Sequence, residues 1–69
     1  MYRFAIHKPN VPDILFTVKA NTIRLAAVEV GDELDMGIVE VYAYKEDFAL
    51  VIFCNADDKI SKFIIVKLR

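Results

Sequence analysis

Phe48-Ala49-Leu50-Val51-Ile52-Phe53-Cys54 is the stretch on which the fold turns. Seven uninterrupted apolar residues are too few to span a membrane and the right number for a strand. A strand at the surface of a small protein alternates apolar with polar residues, so that one face is wet. This one does not alternate, so both of its faces need cover.

Its neighbours extend the pattern. Gly37–Tyr44 and Ile60–Leu68 are rich in β-branched and aromatic residues, and Lys45-Glu46-Asp47 and Asn55-Ala56-Asp57-Asp58-Lys59 have the composition of turns. Simple hairpins at both turns set Tyr44 opposite Phe48 and Cys54 opposite Ile60. One face of the resulting sheet then carries Val39, Val41, Ala43, Ala49, Val51, Phe53, Phe63 and Ile65. The other carries Ile38, Glu40, Tyr42, Tyr44, Phe48, Leu50, Ile52, Cys54, Ile60, Lys62, Ile64 and Val66.

Toward the N-terminus the period changes twice. Tyr2–His7 and Ile14–Ala20 alternate and predict a hairpin, joined by Lys8-Pro9-Asn10-Val11-Pro12-Asp13. Two prolines there fix φ and remove donors, so the loop is stiff. From Ile23 the apolar residues Ile23, Ala26, Ala27 and Val30 fall at helical spacing. A strand over Ile23–Val30, and so an all-β barrel or sandwich, is the competing reading, because Val28 and Val30 favour β structure. Asn21 or Thr22 can cap the start, and Gly31 is expected to end the helix in a left-handed conformation. The small pairs Ala26/Ala27 and Ala43/Ala49 permit close approach, which places the helix on the first face. The expected fold is α+β, a single antiparallel sheet with one helix packed on one face, in the order ββαβββ, forming one domain over residues 1–69.

Composition narrows the function classes. The chain has 69 residues, 57% of them apolar and 28% charged, which makes one globular domain and not a disordered one. Domains of this size gain little net stability from a single core and commonly add a disulfide, a metal or a partner chain. One cysteine and one histidine exclude an intrachain disulfide and a structural zinc site of the Cys/His type. Association is the remaining route, and the second face offers the surface. Tyr42, Phe48, Leu50, Ile52, Ile64 and Val66 are expected to be buried between two copies, with the Tyr2–Ala20 hairpin folding over that face as the competing arrangement.

Nine Lys/Arg against ten Asp/Glu leave a net charge of −1, which supplies no general attraction to nucleic acid or anionic lipid. A nucleic-acid-binding module using Arg3, Lys19, Lys62, Lys67 and Arg69 is the alternative reading. Lys62–Leu68 has only a faint likeness to an RNA-recognition strand, lacking its glycine and second aromatic. With no apolar stretch of signal-peptide or membrane-span length, a cytoplasmic setting is expected, with Cys54 as a buried apolar thiol.

The chemistry-bearing residues are sparse. His7 has only Asp13, across the loop, as an orienting carboxylate, and no nucleophile beside it. Asp32, Glu33 and Asp35 cluster, but without the spacing of a calcium loop. There is no Gly-rich phosphate loop, no Gly-x-Ser-x-Gly and no His-Glu-x-x-His. No catalytic residue, cofactor or metal site is assigned. The expectation is a non-catalytic interaction or regulatory protein, a homodimer binding another macromolecule. His7, Lys8, Asn10 and Asp13 on the stiff loop are its candidate contacts. After the nucleic-acid module, a small enzyme or ligand-binding domain is the third reading.

Overall fold

The computed structural model describes all residues from Met1 to Arg69. Five strands and one helix follow in the expected order: β1 (Tyr2–His7), β2 (Phe16–Ala20), α1 (Ile23–Leu34), β3 (Gly37–Lys45), β4 (Phe48–Cys54) and β5 (Ile60–Lys67). All neighbouring strands are antiparallel, and together they form one sheet in the order β2-β1-β5-β4-β3. The fold is α+β, with the helix on one face.

The N-terminal hairpin does not fold over the sheet. It extends it, because β1 pairs with β5, from Phe4 opposite Lys67 to His7 opposite Ile64. The last residues clamp the same seam, with the Leu68 N–H donating to the Arg3 carbonyl at 2.8 Å. This arrangement overturns the sandwich alternative. β1 carries free ladder groups as well as an apolar face, and edge pairing with β5 satisfies both at once. The sheet is therefore covered once, by α1, and its other face meets solvent.

The core follows from that single covering. Its twelve clustered residues include Phe4, Ile6, Val30, Val51, Phe53 and Ile65, and all come from α1 and the strand faces beneath it. Phe53 and Phe63 meet edge to face with centroids 5.8 Å apart. On the helix, Ile23, Ala26, Ala27 and Val30 are buried as their spacing predicts.

The helix ends later than Gly31. It runs to Leu34, with Asp35 in the left-handed region at φ 54. The Met36 N–H reaches the Gly31 carbonyl at 2.9 Å and the Asp35 N–H reaches the Asp32 carbonyl at 3.4 Å, a Schellman closure. Gly31 serves a different end. It is buried and helical, and a Cβ there would stand 2.8 Å from the Met36 carbonyl oxygen and 3.4 Å from the Phe53 ring. The glycine is needed for close approach, and aspartate, which tolerates the left-handed region through its short polar side chain, makes the stop.

Two irregularities shift β3. Its register slips between Ile38 and Glu40 and again between Ala43 and Lys45. Ile38 consequently lies opposite Phe53, on the helix side, and not with Glu40 as strict alternation requires. Lys45, not Tyr44, is paired with Phe48. Such bulges accentuate twist and are frequent on edge strands. β3 is an edge: only Val41 along it is even half-buried, and Ala43, expected near the centre of the covered face, is exposed. β2 is shorter than its alternation implies, since Ile14 and Leu15 belong to the loop; the Leu15 N–H still bonds the Ile6 carbonyl at 2.8 Å.

Candidate functional site

The open face is built by alternation from residues whose neighbours fill the core. Phe4, Ile6, Ala49, Val51, Phe53, Phe63 and Ile65 point to α1. Their sequence neighbours Ala5, Phe48, Leu50, Ile52, Ile64 and Val66 therefore point away. Registers place Phe48 against Val66, Leu50 against Ile64 and Tyr42 against Leu50, so the expected set forms one contiguous patch over β3, β4 and β5. Phe48, Leu50, Ile52, Ile64 and Val66 are half-buried and Tyr42 is 45% exposed. Large side chains in adjacent strands shield each other laterally, which leaves their outer surfaces wet. Tyr44 leans on Phe48, the ring centroids 5.9 Å apart, and enlarges the patch. Ala5 is the exception on this face: it has no exposure, a small residue set between Val66 and Thr17.

Charge on this face is uneven. Arg3 and Lys19 lie directly opposite each other on β1 and β2. Glu40 lies across the sheet on β3, level with Ile52 and Lys62. The chain makes one ion pair, Arg69 to Asp47 at 2.9 Å, so none of these four is paired within the chain.

The loop that bears the candidate contacts is tied down by hydrogen bonds of its own. Lys8-Pro9-Asn10-Val11 is a β-turn closed by the Val11 N–H to the Lys8 carbonyl at 3.1 Å. Proline at the second position and Asn10 at φ 64 in the third are the signature of type II. His7 Nδ1 lies 3.1 Å from the Asp13 backbone carbonyl. A carbonyl only accepts, so Nδ1 is the donor in this contact. The imidazole thus pins the loop, and the Asp13 carboxylate plays no part in orienting it. Lys8, Asn10 and Asp13 are exposed and His7 is half-buried. His7, at the base of the loop, is paired with Ile64 and so adjoins the apolar patch, while Lys8, Asn10 and Asp13 lie beyond the end of β1.

Cys54 is half-buried instead of enclosed, because β4 ends there. Its Sγ donates to the Asn55 carbonyl at 3.4 Å. Asn55 organises the following turn, its Oδ1 accepting from the Asp57 N–H at 2.9 Å and the Lys59 N–H at 3.0 Å. Asp32 and Glu33 lie in the last turn of α1 and Asp35 closes it, where the helix dipole is unfavourable to negative charge. No three His, Cys, Asp or Glu side chains converge as metal ligands would.

One further surface escaped the sequence reading. A shallow groove of about 640 Å³ lies at the N-terminal end of α1, lined among others by Tyr2, Thr22, Arg24, Lys45, Glu46 and Lys67. Thr22 caps the helix there, its Oγ1 accepting from the Leu25 N–H at 3.2 Å. Lys67 stands over the Tyr2 ring, 3.6 Å from its centroid, a cation–π contact. The groove depends on strand order, which local periodicity does not carry. No helix in the chain is long and apolar enough to cross a membrane. No family model, curated protein or solved structure matches the chain.

Proposed function

We propose that this chain is a non-catalytic interaction protein that works as a homodimer and, in that form, binds another macromolecule. The observation that carries the reading is the second face of the sheet. Tyr42, Phe48, Leu50, Ile52, Ile64 and Val66 form a contiguous apolar surface that nothing in the 69 residues covers. Soluble monomers seldom leave such patches wet. The whole face measures roughly 24 Å by 24 Å from strand spacing and rise. Allowing for side-chain relief, that is of the order of the ~800 Å² each partner loses in a standard interface. A cytoplasmic setting goes with this reading, since the one cysteine forms no disulfide within the chain. Sedimentation equilibrium at micromolar concentration tests it: the expected mass is twice 7.9 kDa, and a clean monomer rejects the dimer.

Lys8–Asp13 is the recognition element that best fits an unidentified protein partner. The type II turn and the His7 bond hold it in one conformation, so little entropy is lost on binding. Replacing Pro9-Asn10-Val11-Pro12 with a glycine–serine linker is expected to preserve folding and dimer mass while abolishing retention of the partner from native cell extract. Unchanged retention moves the binding surface elsewhere. The nucleic-acid alternative fits less well. Arg3, Lys19 and Lys62 lie on the open face, Lys67 is turned to Tyr2 on the other, and Arg69 is paired with Asp47.

A further inference from the structure

We infer that the two copies pack face to face with their strands crossed near 90°, Glu40 of each copy lying over Lys19 and Arg3 of the other. This inference rests on the dimer proposed above and adds its geometry.

The argument begins with position. Lys19 is on β2 and Glu40 on β3, the two edge strands, separated by four inter-strand steps. Lys19 is opposite Arg3, which is level with Leu68, one residue beyond the Phe4–Lys67 pair. Glu40 is opposite Ile52, which is opposite Lys62. The two charges thus differ by six positions along β5, 68 against 62. With ~4.8 Å per strand and ~3.4 Å per residue, they stand roughly 19 Å apart across the sheet and roughly 20 Å along it, at diagonally opposite corners about 28 Å from each other.

Each corner has an electrostatic deficit. Arg3 and Lys19 are like charges directly opposite on neighbouring strands, which is unfavourable without a counter-charge. Neither has a carboxylate partner in the chain, and Glu40 has no cation. Within one molecule these corners cannot meet, and over ~28 Å they are screened from each other in physiological salt, where the Debye length is ~8 Å.

A two-fold axis lying between the faces can bring them together. An axis along the strands places Lys19 over the far end of β3, near the Glu46 turn. An axis across the strands places it over the end of its own β2 in the partner. Only an axis along the other diagonal sets Lys19 over Glu40. Since the two separations are nearly equal, that axis runs at about 45° to the strands, and the sheets cross near 90°, the orthogonal class of sheet packing. The same operation brings Tyr42 of one copy to Arg3 of the other, a cation–π geometry. It leaves Leu50, Ile64 and Val66 toward the middle of the interface.

Charge reversal tests this on the full chain. Lys19 and Glu40 are exposed, so Lys19→Glu and Glu40→Lys are expected to leave the circular dichroism spectrum unchanged. Each single variant sets like charges opposite at two symmetry-related corners, and the dimer Kd is expected to rise on the order of tenfold at low salt. The double variant restores the pairing and is expected to return to within a few-fold of the starting Kd. Coupling between residues at opposite corners of one chain can act only between copies. As a second measurement, a Lys19→Cys chain mixed with a Glu40→Cys chain, both carrying Cys54→Ser, should form a disulfide-linked dimer on mild oxidation. A dimer without rescue or cross-link overturns the crossed geometry and leaves the open-face dimer standing. A monomer at every concentration overturns both.

Discussion

Both faces of the sheet are apolar where β4 and β5 meet, yet they end in different states. On the covered face Ala49, Val51, Phe53 and Ile65 have no exposure at all. On the open face their immediate neighbours Leu50, Ile52, Ile64 and Val66 are only half-buried. The difference does not lie in the strands, since β4 is apolar at every position on both sides. It lies in what is available to cover them. The helix offers a stripe one side wide, Ile23, Ala26, Ala27 and Val30, and a single 12-residue helix can cover one face only. Alternation within β4 and β5 thus separates a face that folds the chain from a face with apolar area to spare.

Adjacent substitutions in β4 put that contrast to its hardest test. Val51→Asp places a carboxylate without a partner in the core, at about 3–5 kcal/mol. A domain of this size has little more than ~5 kcal/mol in total, so loss of the thermal unfolding transition is expected at any concentration. Ile52→Asp, one residue on, should remain folded, losing about 1–2 kcal/mol of apolar burial, and should sediment as a monomer. Should Ile52→Asp keep the dimer mass, the open face is not the interface. If it unfolds as Val51→Asp does, the two faces are not distinct in the way described.

A smaller effect sharpens how the covered face closes. Gly31→Ala gains up to ~1 kcal/mol in helix propensity. Against that, the new Cβ meets a backbone oxygen at 2.8 Å and the Phe53 ring at 3.4 Å. Overpacking of this kind costs about 1–3 kcal/mol, so a lower denaturation midpoint is expected with dimer mass unchanged. A raised midpoint instead would mean that the helix and sheet can separate slightly, and that the approach of α1 to β4 is not tight.

Much of this was legible from local pattern. The bounds of β1 and β4, the helical stripe and the residues of the apolar patch, Tyr42, Phe48, Leu50, Ile52, Ile64 and Val66, follow from periods of 2 and 3.6, which neighbouring residues encode. The choice of Thr22 over Asn21 as the cap, by contrast, was made by the structure. The errors have a common cause. Gly31 reads as a helix stop because glycine usually supplies the left-handed region, but here its missing Cβ answers to Met36 and Phe53, which are distant in pattern though near in space. The bulges of β3 likewise have no marker among its own residues: no glycine or proline stands at Val39 or Tyr44.

By itself, then, the sequence determined the order of strands and helix, how the side chains of β4 and β5 divide, and that one face would exceed the cover a single helix supplies. Only the tertiary structure decided where the N-terminal hairpin went. Its alternating residues fit equally well above the sheet or beside it. Pairing with β5 also satisfies the free N–H and C=O groups of β1, so the hairpin took the edge. That choice left the second face open and set Arg3 and Lys19 at the corner opposite Glu40, because strand order is a long-range property that no local period records.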